Sequence, residues 1–590
     1  MAGVDAFALL VEELKSEEIQ DQLTAARKIS TIALGMGVQK SKSQLIPYLL
    51  KIIESHTDEV LHAIAESIPS LVPGIGGGEN AHLLLPSLEA LAEKDETIVR
   101  SKAVTSLVAV ASQMPDAQLQ SEMLPLVKRL AGGENFPSRI SAAGLFASVY
   151  SSSPTAIRST LRKQYETLAK DEMPMVRSAA FAHMPALAKV AEKEVLVSEV
   201  VPLFNELSTD VQDSVREMAV ANVVAMVQRL SPDEALKMFG GFSDGLQDDK
   251  SSAIRVLKAQ HFVTLAAAMN PARPIREQAG PYLQLLVHDP DLDVRTAASK
   301  NLADFCSRLD AATVQTQMLP VLHELSQPAP AGEMSPNQAV REHVAENVCA
   351  LAAVLGREGT TNDLMRLLKL FLADDELKAK VLATVDPVVE ALGGEGTHSV
   401  LLPEVLSMKD DPLWRVRLSI VQTLPVYAKH MGMDLFDDKL KEVQLAGLSD
   451  SVSRIREQAV TNLESLAKLF GDSWISTHVL PWVLEAAKGS GPFAYQGRIS
   501  ALDAVEHLLV ASAGNKQVSE VLMQKVVEPL SRDRVANVRI SAASALRNAT
   551  KRLASEERGF VNDVIRPHLQ TMVQDTEPDV KLYAEAGLGM

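Results

Sequence analysis

A β-branched residue followed by a base returns along this chain about every forty positions, and that recurrence limits the fold more than any other feature. The pairs are Val99-Arg100, Val176-Arg177, Val215-Arg216, Ile254-Arg255, Val294-Arg295, Val340-Arg341, Val416-Arg417, Ile455-Arg456, Val538-Arg539 and Val580-Lys581. Arg139, Lys380 and Arg498 fall in register, and Gln22 and Leu61 extend it upstream, giving fifteen units with steps of 37 to 46 residues. A fixed period means one supersecondary unit stacked on copies of itself, because no single unit buries its apolar face alone. The length of 590 residues agrees, since an ordinary core stops growing near ~250–300 residues.

The period matches HEAT and armadillo units and exceeds the ~33–34 residues of ankyrin or tetratricopeptide repeats. An acid six residues before the base favours HEAT: Asp171, Asp210, Asp249, Asp289, Asp411, Asp450, Asp533 and Asp575. Such an Asp belongs in the turn between two helices, where its carboxylate is expected to cap the second helix. The base, one turn later, is placed to meet its own Asp or the neighbouring repeat's. Hydrophobic residues make up 46% of the chain and aromatics only 4%, which suits closely packed helices rather than sheets. In the stretch from Val215 to Leu230, Val215, Met218, Ala219, Val223, Met226 and Val227 form one helical stripe, with Asn222 the polar intruder. Pro47, Pro86, Pro125, Pro202, Pro281, Pro320, Pro403 and Pro481 recur inside the first helix of their units, where proline removes a hydrogen bond and bends the rod. The expected fold is all-α, an α-α superhelix (solenoid) of about fifteen HEAT repeats.

Several classes of function are disfavoured. A net charge of −17 repels phosphate backbones, so nucleic acid is not an expected partner. Asp5, Glu12 and Glu13 occupy a start where a secretory signal needs a base and an apolar run, and no apolar run approaches the ~18–20 residues of a membrane span. Cys306 and Cys349 are the only cysteines and lack metal-ligand spacing, which suits reduced thiols in a cytoplasmic or nuclear protein. The glycine-rich PGIGGGEN, residues 73–80, has no P-loop ending, and the 13 histidines form no metal or triad motif. No enzyme and no cofactor is expected.

Departures from the period mark surface loops: QPAPAGEMSP, residues 327–336, and GSGPFAYQGR, residues 489–498. Trp414 stands in a turn, directly before Arg415 and Arg417, which is the composition of a protein–protein hot spot.

Segments along the whole length resemble the scaffold (A) subunits of protein phosphatase 2A. They include STIALGMGVQKSKSQLIPYL (30–49), PLVKRLAGGENFPSRISAAGLF (125–146), PMVRSAA (174–180), DSVREMAV (213–220), LWRVRLSIVQTLP (413–425), LFDDKL (435–440) and RVANVRISAASAL (534–546). The resemblance implies a non-catalytic scaffold, one continuous solenoid whose intra-repeat turns form a ridge. Repeats 1–10, residues 1–399, are then expected to take interchangeable regulatory B-type subunits, and repeats 11–15, residues 400–590, the phosphatase catalytic subunit. On matching positions it implies catalytic-subunit contacts at Trp414, Arg415, Arg417, Arg456, Tyr495, Arg498, Val535, Asn537 and Arg539. It implies regulatory-subunit contacts at Pro174, Met175, Arg177, Ser214, Arg216 and Arg255. The chain departs from the family at Ser178 and at Ser252-Ala253, where the family carries a base and a Trp-Arg pair. The rival reading is a HEAT-type nuclear transport receptor or another HEAT adaptor, though no acidic run for basic cargo stands out. An enzyme hidden in an insertion is a third reading, but the longest excess over the period is about seven residues.

Overall fold

The computed structural model describes residues 6–244, 248–327, 337–489, 494–512, 515–555 and 557–589. Every regular element among them is a helix. Packing divides the chain into two compact units, Met1–Ala298 and Ser299–Met590. This division concerns packing, and is of a different kind from the boundary between partner regions expected after residue 399.

Within each unit the second helices of successive repeats stack in series. In the first unit Pro174–Val190 packs on Asp213–Val227, and that on Ser252–Met269. In the second unit Trp414–Lys439, Ser453–Phe470, Ala494–Ala511, Ala536–Leu553 and Pro578–Leu588 do the same. The stripe read in the sequence is the buried one: Val215, Ala219, Val223, Met226 and Val227 are in the core. Asn222 is buried with them because its Nδ2 donates to the Phe181 carbonyl of the preceding repeat. Asn462 Nδ2 to Val421 O (2.6 Å) and Ser106 Oγ to Ala65 O (2.7 Å) repeat this bond at the same sequence separation of 41. A polar group inside a helix stack is tolerated when it is satisfied in this way.

The prolines do lie within the first helices, and the strain is relieved by a local change of pitch. A five-residue π-helical stretch precedes the proline-containing segment at Ser41–Leu45, Leu119–Met123, Leu196–Val200, Val314–Met318, Thr397–Leu401 and Ile475–Val479. The widened turn makes room for the pyrrolidine ring and for the carbonyl that loses its N–H partner. Four successive connections between repeats of the second unit turn on single glycines in the left-handed region: Gly356, Gly393, Gly432 and Gly471, with φ of 65°, 66°, 75° and 80°. Left-handed φ costs any residue bearing a Cβ ~1–2 kcal/mol.

The PGIGGGEN segment is a pair of short 3-10 turns, Pro73–Ile75 and Gly78–Leu84. A Cβ on Gly78 would lie 2.1 Å from the Gln113 carbonyl oxygen, so this glycine serves close backbone packing. Cys306 and Cys349 are buried free thiols, both pushed up to about 12 by burial. Of the two loops singled out in the sequence, residues 328–336 and 490–493 lie outside the described residues. No described helix is long and apolar enough to cross a membrane.

Candidate functional site

The turn inside each repeat is built by the recurring Asp and base, and the geometry is a ladder. Arg139 reaches Asp171, Arg177 reaches Asp210, Arg216 reaches Asp249, Arg255 reaches Asp289, Arg417 reaches Asp450 and Arg539 reaches Asp575, each with Nε donating to Oδ2 at 2.7–3.0 Å. Nη2 donates to Oδ1 of the same carboxylate at 2.9–3.2 Å. Each base therefore takes the Asp of the following repeat, while its Nη1 donates to the main-chain carbonyl six residues before it, that of Gly133 for Arg139 and that of the repeat's own Asp for the others, as Arg417 does to Asp411 O at 2.7 Å. Arg498 Nε lies 2.8 Å from Asp533 Oδ2 but off the hydrogen-bond direction, so that rung is an ion pair with one hydrogen bond, Nη2 to Oδ1 at 3.3 Å. Such bidentate, charge-assisted bonds are the stronger kind. Among the described residues the hydrogen bond from Arg417 holds the Asp450 carboxyl below its usual range, and Asp450 in turn raises Arg417.

Two expectations are corrected here. The Asp does not cap the first turn of the second helix. Its Oδ1 accepts the N–H two residues on, as Asp450 does from Val452 (2.8 Å) and Asp411 from Leu413 (2.8 Å), which closes the turn ahead of the helix. The base of the tenth repeat is Lys378, bonded to Asp411 at 2.5 Å, and not Lys380, which turns to Glu342 and Glu346.

The ladder separates the expected contact residues into two groups. The guanidinium groups of Arg177, Arg216, Arg255, Arg417, Arg498 and Arg539 are spent inside the stack, with side chains only 9–18% exposed. They fix the spacing and angle of the turns. The outward-facing group contains Met175 and Ser214 in the first unit, and Arg415 and Asn537 in the second, all exposed. Pro174, Trp414, Arg456, Tyr495 and Val535 are half-buried in the same turns or the helix starts that follow them. Arg415 stacks on Trp414, its guanidinium carbon 4.8 Å from the ring centroid.

Sequence reading missed a further feature of this edge. Ile98, at the start of its second helix, and Val211 and Leu413, in the turns ahead of theirs, are exposed at 52%, 84% and 44%, as Met175 is at 58%. Ile98 and Met175 share an offset of two residues before the base, whereas Val211 and Leu413 stand five and four before theirs, which hides them from a periodic reading. Beside the Trp414 turn runs a groove of about 870 Å³, floored by Ile420, Val421 and Ile455 and rimmed by Asp410, Asp438 and Glu442. The described residues include no group of His, Cys, Asp or Glu that could hold a metal ion.

One acid is out of balance. Burial, with Glu506 and Glu457 nearby, pushes Asp503 up to about 6 from an ordinary 3.8. A carboxyl raised in the folded state binds more protons than in the unfolded chain, so its ionisation costs stability as pH rises from about 4 to 6, and the cost is constant above. Asp503→Asn is therefore expected to raise the thermal midpoint at pH 7.5 and leave it unchanged at pH 4. The gain corresponds to about 1–2 kcal/mol, the rise from 3.8 to about 6 being discounted for partial exposure. Calorimetric scans at the two pH values check this, and an equal gain at both would assign it to packing.

The geometry can be set beside known proteins. The PIK3R4-like, middle domain family matches residues 165–406, less than half of the chain. The chain is 39% identical over 269 residues to the protein phosphatase PP2A regulatory A subunit of Schizosaccharomyces pombe, covering 45% of each. It is 34% identical over 389 residues to the beta isoform of the human 65 kDa regulatory A subunit of serine/threonine-protein phosphatase 2A, covering 65% of this chain and 63% of that one. It is 39% identical over 196 residues to the protein phosphatase 2A scaffold subunit of Dictyostelium discoideum, covering 33% of this chain and 34% of that one. In each case the match spans less than two thirds of the relative's length. Among solved structures, Kap121p bound to Pho4p aligns with 99% of this chain and 69% of its own, with a TM-score of 0.53 at 14% identity. At that identity the likeness concerns the fold, an all-α superhelix of HEAT repeats.

Proposed function

Since this chain is a relative of the protein phosphatase 2A regulatory A subunits, we propose that it is a non-catalytic scaffold that holds a phosphatase catalytic subunit together with a second, regulatory subunit on its intra-repeat turns. The observation that carries this reading is the turn edge itself. Charged rungs fix one turn against the next within each unit, and the tips present Met175, Val211, Leu413 and the stacked Trp414-Arg415 pair to solvent. A rigid edge with apolar and arginine contacts is suited to protein partners. In this reading residues 400–590 take the catalytic subunit through Trp414, Arg415, Tyr495, Val535 and Asn537, with the groove beside Trp414 adjoining that contact. Residues 1–399 take regulatory subunits of the B type through Pro174, Met175 and Ser214, with Arg177, Arg216 and Arg255 holding those turns in place. Two modules bound to one chain meet at an effective concentration of about millimolar, which is the physical benefit of a scaffold.

The experiment is affinity isolation of the full chain from cytosol. A serine/threonine phosphatase catalytic subunit is expected in the eluate, together with a second polypeptide. Recovery of import cargo without any phosphatase would overturn the reading.

A further inference from the structure

Two bases of the ladder, Arg100 in the first unit and Arg456 in the second, meet no carboxylate among the described residues, and their surroundings differ. For Arg100 the position six residues before the next base is Gly133. Its Nη1 donates to the carbonyls of Lys94 (2.8 Å) and Asp95 (2.5 Å), and its Nη2 to Thr97 Oγ1 (3.0 Å). Arg100 is 6% exposed, and its Nε is buried without a partner. A Cβ on Gly133 would press on Ser138 Cβ at 2.9 Å, so this gap in the ladder is closed from within.

At Arg456 the gap is open. Nη1 donates to Asp450 O (2.7 Å) and Ser451 O (3.1 Å), which aims the guanidinium as on the other rungs, yet Nε and Nη2 have no acceptor among the described residues. The sequence explains why: Glu485 and Asp503 bracket a stretch, residues 486–502, that contains no Asp or Glu, and Pro492 stands six residues before Arg498. Asp503 lies near enough to feel the charge of Arg456 but forms no hydrogen bond with it. Instead the side chain borders a groove of about 530 Å³ lined by Ser449, Ser451, Trp482, Gln496 and Ser500.

We propose that this rung is completed from outside, by an Asp or Glu side chain of the catalytic subunit that enters the groove and accepts from Arg456 Nε and Nη2. The inference rests on the scaffold reading and adds the chemistry of one contact. Six internal rungs demonstrate that the same guanidinium pose takes a carboxylate in bidentate fashion. A monoanion suits the site better than a phosphate dianion, because Asp450 and Glu485 also line the groove.

The test titrates purified catalytic subunit into the full-length chain and three variants. Arg456→Ala is expected to weaken binding about 30- to 100-fold, the lower end of what loss of one partner of a desolvated ion pair costs, because Arg456 is only half-buried. Gln496→Glu keeps Arg456 but sets an internal carboxylate in the same groove, and should weaken binding to a similar extent. Arg100→Ala, at the closed gap, should change affinity by less than about twofold. Wild-type affinity in both Arg456→Ala and Gln496→Glu overturns the proposal and leaves the scaffold reading standing. Loss in Arg456→Ala alone also overturns it, since Arg456 would then act only by holding its turn. Failure of the wild-type chain to bind overturns the scaffold reading itself.

Discussion

Replacing Trp414 and Arg415 together by alanine is expected to weaken binding of the phosphatase catalytic subunit roughly 30- to 1,000-fold, the range of 2–4 kcal/mol seen at interface anchors. The two side chains form one unit. Arg415 lies exposed over the half-buried Trp414 ring, so the indole is held by its neighbour as well as by its own turn. Leu413, 44% exposed, extends the apolar surface on the other side. None of the three belongs to the charged ladder, whose rungs on either side use Lys378, Asp411, Arg417 and Asp450. The double variant should thus keep its melting behaviour and circular dichroism while losing the partner. Calorimetric titration with purified catalytic subunit reads the effect. A change below about threefold, under 1 kcal/mol, would remove Trp414 from the interface.

The second large effect concerns the ladder. Asp450→Ala is expected to destabilise the stack locally by about 3 kcal/mol, near the lower end of the cost of breaking a buried ion pair because both side chains keep some solvent contact. The carboxylate accepts from Arg417 Nε (2.8 Å), from Arg417 Nη2 (2.9 Å), from the Val452 N–H (2.8 Å) and from the exposed Ser451 Oγ (3.4 Å), so its removal orphans four donors, three of them partly buried. Repeats touch only their neighbours, and the loss should appear as faster amide exchange around residues 411–456, with distant repeats little changed. Arg417→Leu combined with Asp450→Leu should recover part of the stability, because an apolar pair leaves no unpaired charge behind. A double variant no more stable than Asp450→Ala would mean that turn closure, and not the ion pair, carries the effect. The pH dependence has a definite sign. Arg417 lowers the Asp450 carboxyl and Arg539 lowers that of Asp575, so their stabilisation is complete above the ordinary Asp range and is lost as pH falls through the lowered folded values. Asp503 acts in the opposite sense between pH 4 and 6, but it is one group against a series.

The repeat, its helical class and its turn residues were legible because they are enforced locally and many times over. Helix-forming stripes such as Val215 to Val227 must face a neighbour, and an Asp six residues ahead of a base needs a turn in which to sit. What stayed illegible was anything set by the adjacent repeat. Whether Arg417 bonds Asp411 or Asp450 depends on how one repeat lies against the next, and the answer is the backbone of the first and the carboxylate of the second. Lys380 kept the period of the sequence, but Lys378, half a turn earlier, makes the rung, while Lys380 faces Glu342 and Glu346 of the preceding repeat. The prolines announced bent helices without revealing that a π-helical stretch absorbs the bend. For the docking edge, residue type pointed to Trp414, whereas the exposure of Ile98 and Val211 follows from turn geometry that no single residue encodes.

The four left-handed glycines of the second unit give it unequal compliance on its two margins. Turns inside the repeats are clasped by ion pairs, and separating them there means pulling opposite charges apart in a partly dry setting. Connections between repeats pass through Gly356, Gly393, Gly432 and Gly471, and a Cβ at any of these four would meet nothing within 4 Å. Torsion at one residue per repeat meets little resistance. From residue 356 to 471 resistance to bending is therefore expected to be unequal, lower along the glycine margin than along the margin that bears Trp414.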